Sequence, residues 1–525
     1  MSDILKVSFI LPHEDCSKNL VDLINWCAKN QKIDLVCLIW LPRKTSSLKR
    51  FLKNSLWQLI LCPERYRSKL NLIKKETLLS YIKCDEQLLV YEYNNCNKEI
   101  INKLDIDLHI ALDPNANIIS LKNHSRLGAI VFNNKNPLLI NNNNPSFFDE
   151  VLSQKNITQF SILLLQPNNN KTFVIEEGAF PTHGYFTANR ENVLLRQNFY
   201  MQKSIERILE NKIIIKREHI TTDTDTHNLD QFPSLTDQCR YCFHLTGLLL
   251  RRLAALIAGE QSWNVGLHFG DWKSVDFQKT ILIQNPKQHF LADPFVIDHD
   301  DKSYCFVEDY DMKKSKGVIS VYEISEEKVS KIGVALEEKF HLSFPYLFKC
   351  DSKIYMLPES CCNKDIRIYE SVEFPLKWKL ARVIASDVSA VDSMIFQQNN
   401  LWWLFSNINP INGRDTCSEL SIFYADHPIA GEWLPHSKNP VIFNPLSARN
   451  GGIIIENNAI YRVGQKQIFG TYGGGGFSIN QIIELDPNNY REDPVLIVNP
   501  DFFKGNKGAH HFHSNGNISA FDFLT

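Results

Sequence analysis

Four polar acceptors stand at one fixed distance from the starts of an internal repeat. Glu308, Glu359, Asn407 and Gln465 each lie fifteen residues beyond Asp293, Phe344, Asp392 and Asn450, and each ends an otherwise apolar stretch. A given position carries one of these residue types roughly a quarter of the time at average composition, so four in register mark a pattern. Carboxylates and amides that converge, together with Arg449, Arg462, His341, His510, His511 and the Trp402-Trp403 pair, supply paired hydrogen bonds and stacking faces. Sugar hydroxyls and ring faces require both. Asp293, Glu359 and Asp392 are therefore the candidate catalytic groups. Glu308, His341, Asn407, Arg449, Arg462, Gln465, His510 and His511 are the candidate substrate contacts. If Asp293, Glu308, Glu359 and Asp392 share one mouth, their crowding predicts at least one raised pKa unless Arg449, Arg462 or a cation neutralises the group. A raised carboxyl pKa is what a general acid for glycosyl chemistry needs. The competing reading has these side chains tying neighbouring sheets together through backbone amides.

The elements that must position these residues follow from the repeat itself. Its copies start at 293, 344, 392, 450 and 510, and apolar strands follow at 304–307, 354–357, 401–405, 460–463 and 518–521. The spacing, near fifty residues, is that of a propeller blade, so residues 262–525 are expected to form an all-β five-bladed propeller. The fifth copy ends after two strands at Thr525. A half-built sheet would leave raw edges, so residues 262–285, with strands at 263–269 and 274–284, are expected to complete it.

Upstream, short apolar runs at 5–11, 35–41, 88–93, 108–112 and 128–132 alternate with helical stretches at 19–29 and 98–104. This order predicts an α/β open sheet, mostly parallel, over residues 1–185. The loop Pro12-His13-Glu14-Asp15-Cys16-Ser17 has no glycine for close approach to a pyrophosphate, so no dinucleotide cofactor is expected. Residues 186–261 read as a helical connector, with a helix at 189–211 and a polar linker at 221–226. The apolar run 243–258 contains Arg251 and Arg252 and is too short to span a bilayer. It is expected to pack between the domains or to make peripheral contact with a membrane surface. Cys239-x-x-Cys242 is half a zinc knuckle without a second half, and Gly473-Gly474-Gly475-Gly476 lacks the Lys-Ser/Thr of a phosphate loop, so no metal or cofactor is expected. The tracts 141–144 and 168–170 are asparagine loops.

With 57 basic and 59 acidic residues the formal charge is -2, which gives no invitation to nucleic acid. The first residues lack the pattern of a signal peptide, and thirteen scattered cysteines read as reduced thiols, so a cytoplasmic location is expected.

Two resemblances add to this. The stretches Asp107-Leu108-His109-Ile110-Ala111-Leu112, Leu127-Gly128-Ala129-Ile130-Val131-Phe132-Asn133 and Phe147-Phe148-Asp149-Glu150 resemble the N-terminal fold of formyltransferases, over about residues 80–180. The catalytic Asn, His and Asp of that family fall here on Val131, Asn133 and Ile157. The resemblance therefore implies a non-catalytic relative, with no base and no oxyanion stabiliser. His124 and His183 are the alternative bases, and neither has a carboxylate constellation in the sequence.

From about Phe290 to the end the chain resembles the N-terminal region of plant glucosamine inositolphosphorylceramide transferases. The matching stretches are Phe290-Leu291-Ala292-Asp293-Pro294-Phe295, His341-Leu342-Ser343-Phe344-Pro345-Tyr346, Ile354-Tyr355-Met356-Leu357-Pro358-Glu359-Ser360, Trp402-Trp403-Leu404-Phe405 and Tyr461-Arg462-Val463-Gly464-Gln465. The recognised glycosyltransferase domain of those proteins is a separate one without a counterpart here. The Ala292-Asp293-Pro294 start also resembles the five-bladed glycosidases of the arabinanase and invertase type, whose acid Glu would fall on Phe344. These resemblances imply a glycan or glycolipid context without fixing a reaction, and the expectation is a carbohydrate-active protein of surface-glycan or glycolipid assembly that binds a sugar or sugar nucleotide in the propeller funnel, with glycosyl transfer as the candidate reaction. A glycoside hydrolase and a non-catalytic interaction scaffold are the alternatives.

Overall fold

A computed structural model of the protein describes residues 4–11, 15–40, 48–67, 75–77, 89–92, 98–112, 118, 121–133, 145–168, 171–219, 232–258, 262–411, 413, 415–470, 472–503 and 505–525. Residues 12–14, the asparagines 141–144 and 169–170, and the linker 221–226 lie outside the described residues. The chain divides into two compact units, residues 1–254 and 255–525.

The first unit is α/β. Strands Leu5–Leu11, Ile33–Trp40, Leu89–Glu92, Leu108–Ala111 and Ala129–Asn133 pair in parallel, and the spatial order reverses between Leu5–Leu11 and Leu108–Ala111. Their apolar runs are buried because helices cover a parallel sheet. Lys18–Lys29 turns Leu20, Leu23, Ile24 and Cys27 inward at helical spacing. The sheet is mixed rather than mostly parallel, since Ile157–Leu165, Thr172–Pro181 and Arg217–His219 extend it antiparallel. Val131, Asn133 and Ile157 sit within these strands.

Residues 186–261 do not form a separate connector. Phe186–Leu209 and most of Leu235–Ala258, each a helix of 24 residues, pack inside the first unit. The reason is a buried carboxylate on a third helix, Leu48–Arg67. Glu64 accepts from the Tyr241 hydroxyl at 2.5 Å and from the Thr187 N–H and hydroxyl at 3.0 and 2.8 Å. It binds the start of one helix and the middle of the other, where the positive end of a helix dipole favours an anion.

The second unit is mostly β, in five antiparallel groups of strands, the last two joined as one sheet through a parallel bridge between Ile454 and Ser514. The first holds His289–His299, Lys302–Asp311, Lys316–Ile324 and Val329–Leu336. The second holds Ser343–Cys350, Lys353–Ser360, Asp365–Glu373 and Lys377–Ser386. The third runs through Ser389–Gln398, Leu401–Asn409, Glu419–Ala425 and Leu434–Pro435, and the fourth through Asn450–Glu456, Ala459–Gln465, Phe477–Leu485 and Tyr490–Val498. In the fifth, Phe512–Ser514 and Ile518–Leu524 are continued by Trp263–Phe269, which pairs along the whole of Ile518–Leu524, and by Ile281–Ile283. That outermost strand is much shorter than the stretch 274–284. Asp271 and Asp276 accept the N–H groups of Lys273 and Gln278 and wind 272–274 and 277–279 into 3₁₀ turns instead.

The first strands of successive sheets touch in turn, and that of the fifth touches the first, so they close a ring. Two-residue turns set the register of the first hairpin in the first four sheets. Asp300-Asp301, Asp351-Ser352, Asn399-Asn400 and Asn457-Asn458 all have both φ angles positive, the type I′ geometry that suits the twist of a hairpin.

Ring closure predicts a large effect from a small deletion. Removing residues 262–285 should abolish the cooperative unfolding transition of the second unit in calorimetry, because Ile518–Leu524 would lose its partner. A truncated chain that kept a transition of full size would refute the closure.

Candidate functional site

Each of the first strands is broken at the same place. The ladder shifts register between Ala292 and Phe295, Ser343 and Tyr346, Val391 and Met394, and Asn450 and Ile453. Asp293, Phe344 and Asp392 hold left-handed φ angles of 48°, 45° and 48° at these bulges. In the fourth strand Gly452 takes the positive φ, at 121°, where a Cβ would come within 2.1 Å of the Phe512 carbonyl oxygen. Opposite the residue just before each break stand Glu308, Glu359 and Asn407, and Gln465 donates its N–H to the Arg449 carbonyl in the equivalent place. The bulges thus bring one polar side chain per sheet to one end of the ring.

Asp293 ties the ring and also faces its charged centre. Its N–H donates to Asp522 Oδ2 at 3.1 Å, and its Oδ2 accepts the Phe344 N–H at 3.3 Å. Its Oδ1 lies 3.2 Å from His510 Nε2, while His510 Nδ1 lies 3.0 Å from Asp522 Oδ1. Burial alone would lower the His510 pKa, but the carboxylates of Asp522 and Asp293 on either side push it up to about 10. His510 is thus an imidazolium held between two carboxylates. His511 beside it is the opposite case. Burial against Phe295 and Phe344 pushes its pKa down to about 3, although its Nδ1 lies 3.6 Å from Asp293 Oδ1.

Two glutamates carry the rest of the charge problem. Burial, then the nearness of Asp293 and Glu359, raises Glu308 well above the usual carboxyl range. His341 Nδ1 accepts the Gly317 N–H at 2.8 Å, which places the ring proton on Nε2, 3.5 Å from Glu308 Oε1. Burial and Asp392 raise Glu359 in the same way, and Glu359 hydrogen-bonds to Asp392. Burial also raises Asp392, against the pull of Arg449. Arg449 Nε donates to Asp392 Oδ2 at 2.6 Å but comes no nearer to Glu359 than 3.9 Å, so the shared proton resides on Glu359. Gln465 Nε2 adds a bond to Asp392 Oδ2 at 3.2 Å. The guanidinium also reaches Thr416 Oγ1 at 3.0 Å and stacks 5.1 Å from the Tyr472 ring centroid.

Solvent access separates a mouth from a floor. The side chains of His341, Glu359, Glu308 and Arg449 are 25%, 14%, 10% and 10% exposed, while Asp392 and Asp522 are 3% and 0%. The mouth therefore offers two neutral carboxyls, a neutral imidazole N–H and a guanidinium.

Three expected neighbours lie elsewhere or serve the frame. Arg462 is fully buried and pairs with Glu492 at 2.5 Å while donating to the Ser447 carbonyl at 2.7 Å, across the fourth sheet. Asn407 is consumed by backbone, donating to the Glu419 and Ala448 carbonyls and accepting the Asn450 N–H. Trp402 and Trp403 pack in the sheet core near the other end of the strand that ends in Asn407 and Asn409. Two residues escaped the repeat. Asp522 is the fifth member of the register, twelve rather than fifteen positions beyond His510, because the arms of the fifth hairpin are shorter than the others, which outweighs its longer turn through Asn515 and Gly516. Tyr472 enters on the glycine run, where Gly473 at φ 66° lets the loop close: a Cβ there would sit 2.9 Å from the Trp263 ring.

Neither cluster with metal-like spacing offers an imidazole lone pair. In Asp293, His510 and Asp522 both ring nitrogens face carboxylates. In Cys350, Asp351 and His427, Nδ1 accepts the N–H groups of Ile429 and Ala430, so the proton sits on the Nε2 that would have to bind.

The family profile described as glucosamine inositolphosphorylceramide transferase 1, N-terminal, matches residues 279–517. Glucosamine inositolphosphorylceramide transferase 1 of Oryza sativa subsp. japonica is 32% identical over 283 residues, covering 49% of this chain and 38% of that protein. The chain thus spans about two-fifths of the length of that relative. Among solved structures, the catalytic domain of the Coprinopsis cinerea GH62 alpha-L-arabinofuranosidase covers 50% of this chain and 98% of its own, at 12% identity and a TM-score of 0.33. The N-formyltransferase from Helicobacter canadensis covers 43% of this chain and 70% of its own, at 9% identity and a TM-score of 0.25.

Proposed function

We propose that the second unit is a five-bladed propeller whose mouth binds a sugar, and that the protein works in glycan or glycolipid assembly. The observation that carries this reading is the split among its buried carboxyls. Glu308 and Glu359 keep protons at the mouth, while Asp392 rests against Arg449 and Asp293 against the His510 imidazolium. A neutral carboxyl both donates and accepts a hydrogen bond, which matches a sugar hydroxyl. A neutral acid is also what a departing glycosidic oxygen requires. Glu308, oriented by the His341 N–H, is the proton donor in this reading, and Glu359, His341 and Arg449 are the sugar contacts. The similarity to the N-terminal region of the plant transferases supports glucosamine or an inositol-phosphate-linked acceptor as the ligand class. The first unit has Val131, Asn133 and Ile157 where the formyltransferase resemblance requires catalytic groups, so formyl transfer is not expected of it.

Hydrolysis is the second reading, favoured by a protonated glutamate beside an aspartate. It is the weaker one for Glu359 and Asp392, because a direct hydrogen bond leaves them closer than the roughly 5 Å that a retaining pair needs.

Calorimetric titration with glucosamine, N-acetylglucosamine, their nucleoside-diphosphate conjugates and inositol phosphates tests the mouth. Glu308→Met and Glu359→Met, which keep the length of the side chain without a donor or acceptor, should each weaken binding at least about tenfold, the loss of one good hydrogen bond or more. Neither should cost stability. A carboxyl whose folded pKa is raised holds a proton that the unfolded chain has released, so its presence disfavours the fold as pH rises above the usual carboxyl range. Both variants should therefore melt at or above the wild-type temperature at pH 8. Unchanged affinity in the double variant would remove the mouth as the site.

The His510 pair carries a pH signature of the opposite kind. A histidine whose folded pKa is raised stabilises fully below its unfolded pKa, near 6.5, and this is lost as pH climbs through about 10. Asp293→Asn removes one carboxylate from the imidazolium. The difference in melting temperature between wild type and this variant should be large at pH 6 and shrink toward pH 10. Parallel curves over that range would mean that His510 is not held as a cation.

A further inference from the structure

The helix Leu235–Ala258 buries one face in the first unit and still leaves a separate apolar stripe exposed, where a surface helix ordinarily exposes its polar side. The inner face is spoken for. Gln238, Tyr241 and His244 are buried, and the Tyr241 hydroxyl is fixed by Glu64 and the Phe186 N–H. Counting 100° per residue, the opposite side gathers Cys242, Phe243, Thr246, Leu249, Leu250 and Leu253 into one stripe, and all six are exposed. Phe243 is 79% exposed and Leu250 61%, more than a chance single apolar residue on a surface accounts for.

The charges around the stripe have one sign. Arg240 and Arg251 run along one edge and Arg252 along the other, and no Asp or Glu occurs from 238 to 258. Arg240 reaches Asp237 at 3.2 Å, whereas Arg251 and Arg252 make no ion pair with any described residue. On the edge shared by Arg240 and Arg251, those two side chains, Phe243, Gly247 and Gln154 line a cavity of about 340 Å³. An apolar band bordered by arginines, with a recess of mixed polar and apolar lining between two of them, has the layering of a bilayer surface: acyl chains, then phosphates.

We propose that this face seats the protein on an anionic phospholipid surface. Phe243, Leu249, Leu250 and Leu253 enter the boundary between headgroups and acyl chains, and Arg240, Arg251 and Arg252 extend to lipid phosphates, one of which occupies the recess. The contact is peripheral, since no helix among the described residues is long and apolar enough to cross a membrane. Charge decides against a second copy of the chain as the occupant. Two such faces would set arginines against arginines with no carboxylate on either stripe to receive them. This placement is independent of the chemistry of the ring.

Sedimentation of the full chain with vesicles tests it, using phosphatidylcholine alone and phosphatidylcholine mixed with phosphatidylserine. The wild type should bind the mixed vesicles, bind the neutral ones many-fold less, and release as salt is raised. Phe243→Ser combined with Leu250→Ser should lower binding to mixed vesicles at least about tenfold, the share expected of two buried apolar side chains. Arg251→Glu with Arg252→Glu should erase the preference for anionic vesicles, each arginine contributing roughly fivefold. All four positions are solvent-facing, so helical circular dichroism should be unchanged in both variants. Equal binding by wild type and either variant, or no binding to mixed vesicles at all, overturns the proposal. So does a wild-type dimer in sedimentation velocity that Phe243→Ser with Leu250→Ser makes monomeric while vesicles are ignored, which would assign the face to self-association.

Discussion

The ring rests on a backbone conformation that side chains resist. Asp293, Phe344 and Asp392 each adopt the left-handed region at the same point of three successive first strands, at a cost on the order of 1 kcal/mol apiece. What this secures is a bulge that bends the strand where five of them converge, and that turns the following strand's last polar residue toward the axis. Aspartate tolerates the conformation because its short polar side chain finds partners nearby. Phe344 has no such help from its own side chain. Its N–H is held by Asp293 of the preceding sheet, and its ring is packed against Phe295 and His511. The carboxylate that looks like a functional group is therefore also the brace that keeps the next bulge in place.

Once the bulges have pointed five carboxyls at one axis, burial dictates their protonation. An unpaired buried carboxylate is expensive, and each one that stays ionised needs a cation or several donors. Asp392 has Arg449 and Gln465, and Asp293 and Asp522 share His510. With Glu308 and Glu359 neutral, three carboxylates face two cations, and backbone N–H groups of His510, His511, Phe344 and Asp293 absorb the remaining charge. Ionising the glutamates as well would add two negative charges with no further cation in contact. Their raised pKa values are thus a consequence of the whole ring rather than of any one neighbour.

Much of this could be read from residue order because hairpin turns conserve register. The spacing of fifteen residues survives through four sheets since each hairpin reverses on a two-residue pair of Asp, Asn or Ser with both φ angles positive. Where the arms of the hairpin shorten, the count fails, and Asp522 went unseen although it sits deepest in the cluster. Tyr472 was invisible for a different reason. It arrives from a glycine loop outside the repeat, and only the space left by Gly473 shows why the loop can lie there. The helical periodicity of 189–211 and the apolar run 243–258 were legible, but the place of both helices inside the first unit was hidden in a long-range tie. Nothing local to residues 186–258 announces that Glu64, more than a hundred positions earlier, will hold both helices. The tryptophan pair misled because composition records what a side chain is suited to and not which end of a strand it occupies.

The last feature that sequence types alone could not resolve is the division of labour around the ring. Glu308, Glu359, Asn407 and Gln465 occupy equivalent positions, and all are polar acceptors. Only an amide nitrogen among these side chains donates to two acceptors at once, and the third and fourth sheets demand that. Asn407 donates to two carbonyls and accepts an N–H, and Gln465 donates to the Asn450 carbonyl at 2.6 Å. A carboxylate in those places would set oxygen against oxygen. The first two sheets make no such demand on their register residue, so acids persist there and remain free to protonate. The protonated side of the mouth consequently lies over the first and second sheets, with Arg449 reaching across from the fourth to hold Asp392 of the third. A ligand drawn to the neutral acids would bind off the axis of the ring, and the amides opposite would hold the frame against which it is gripped.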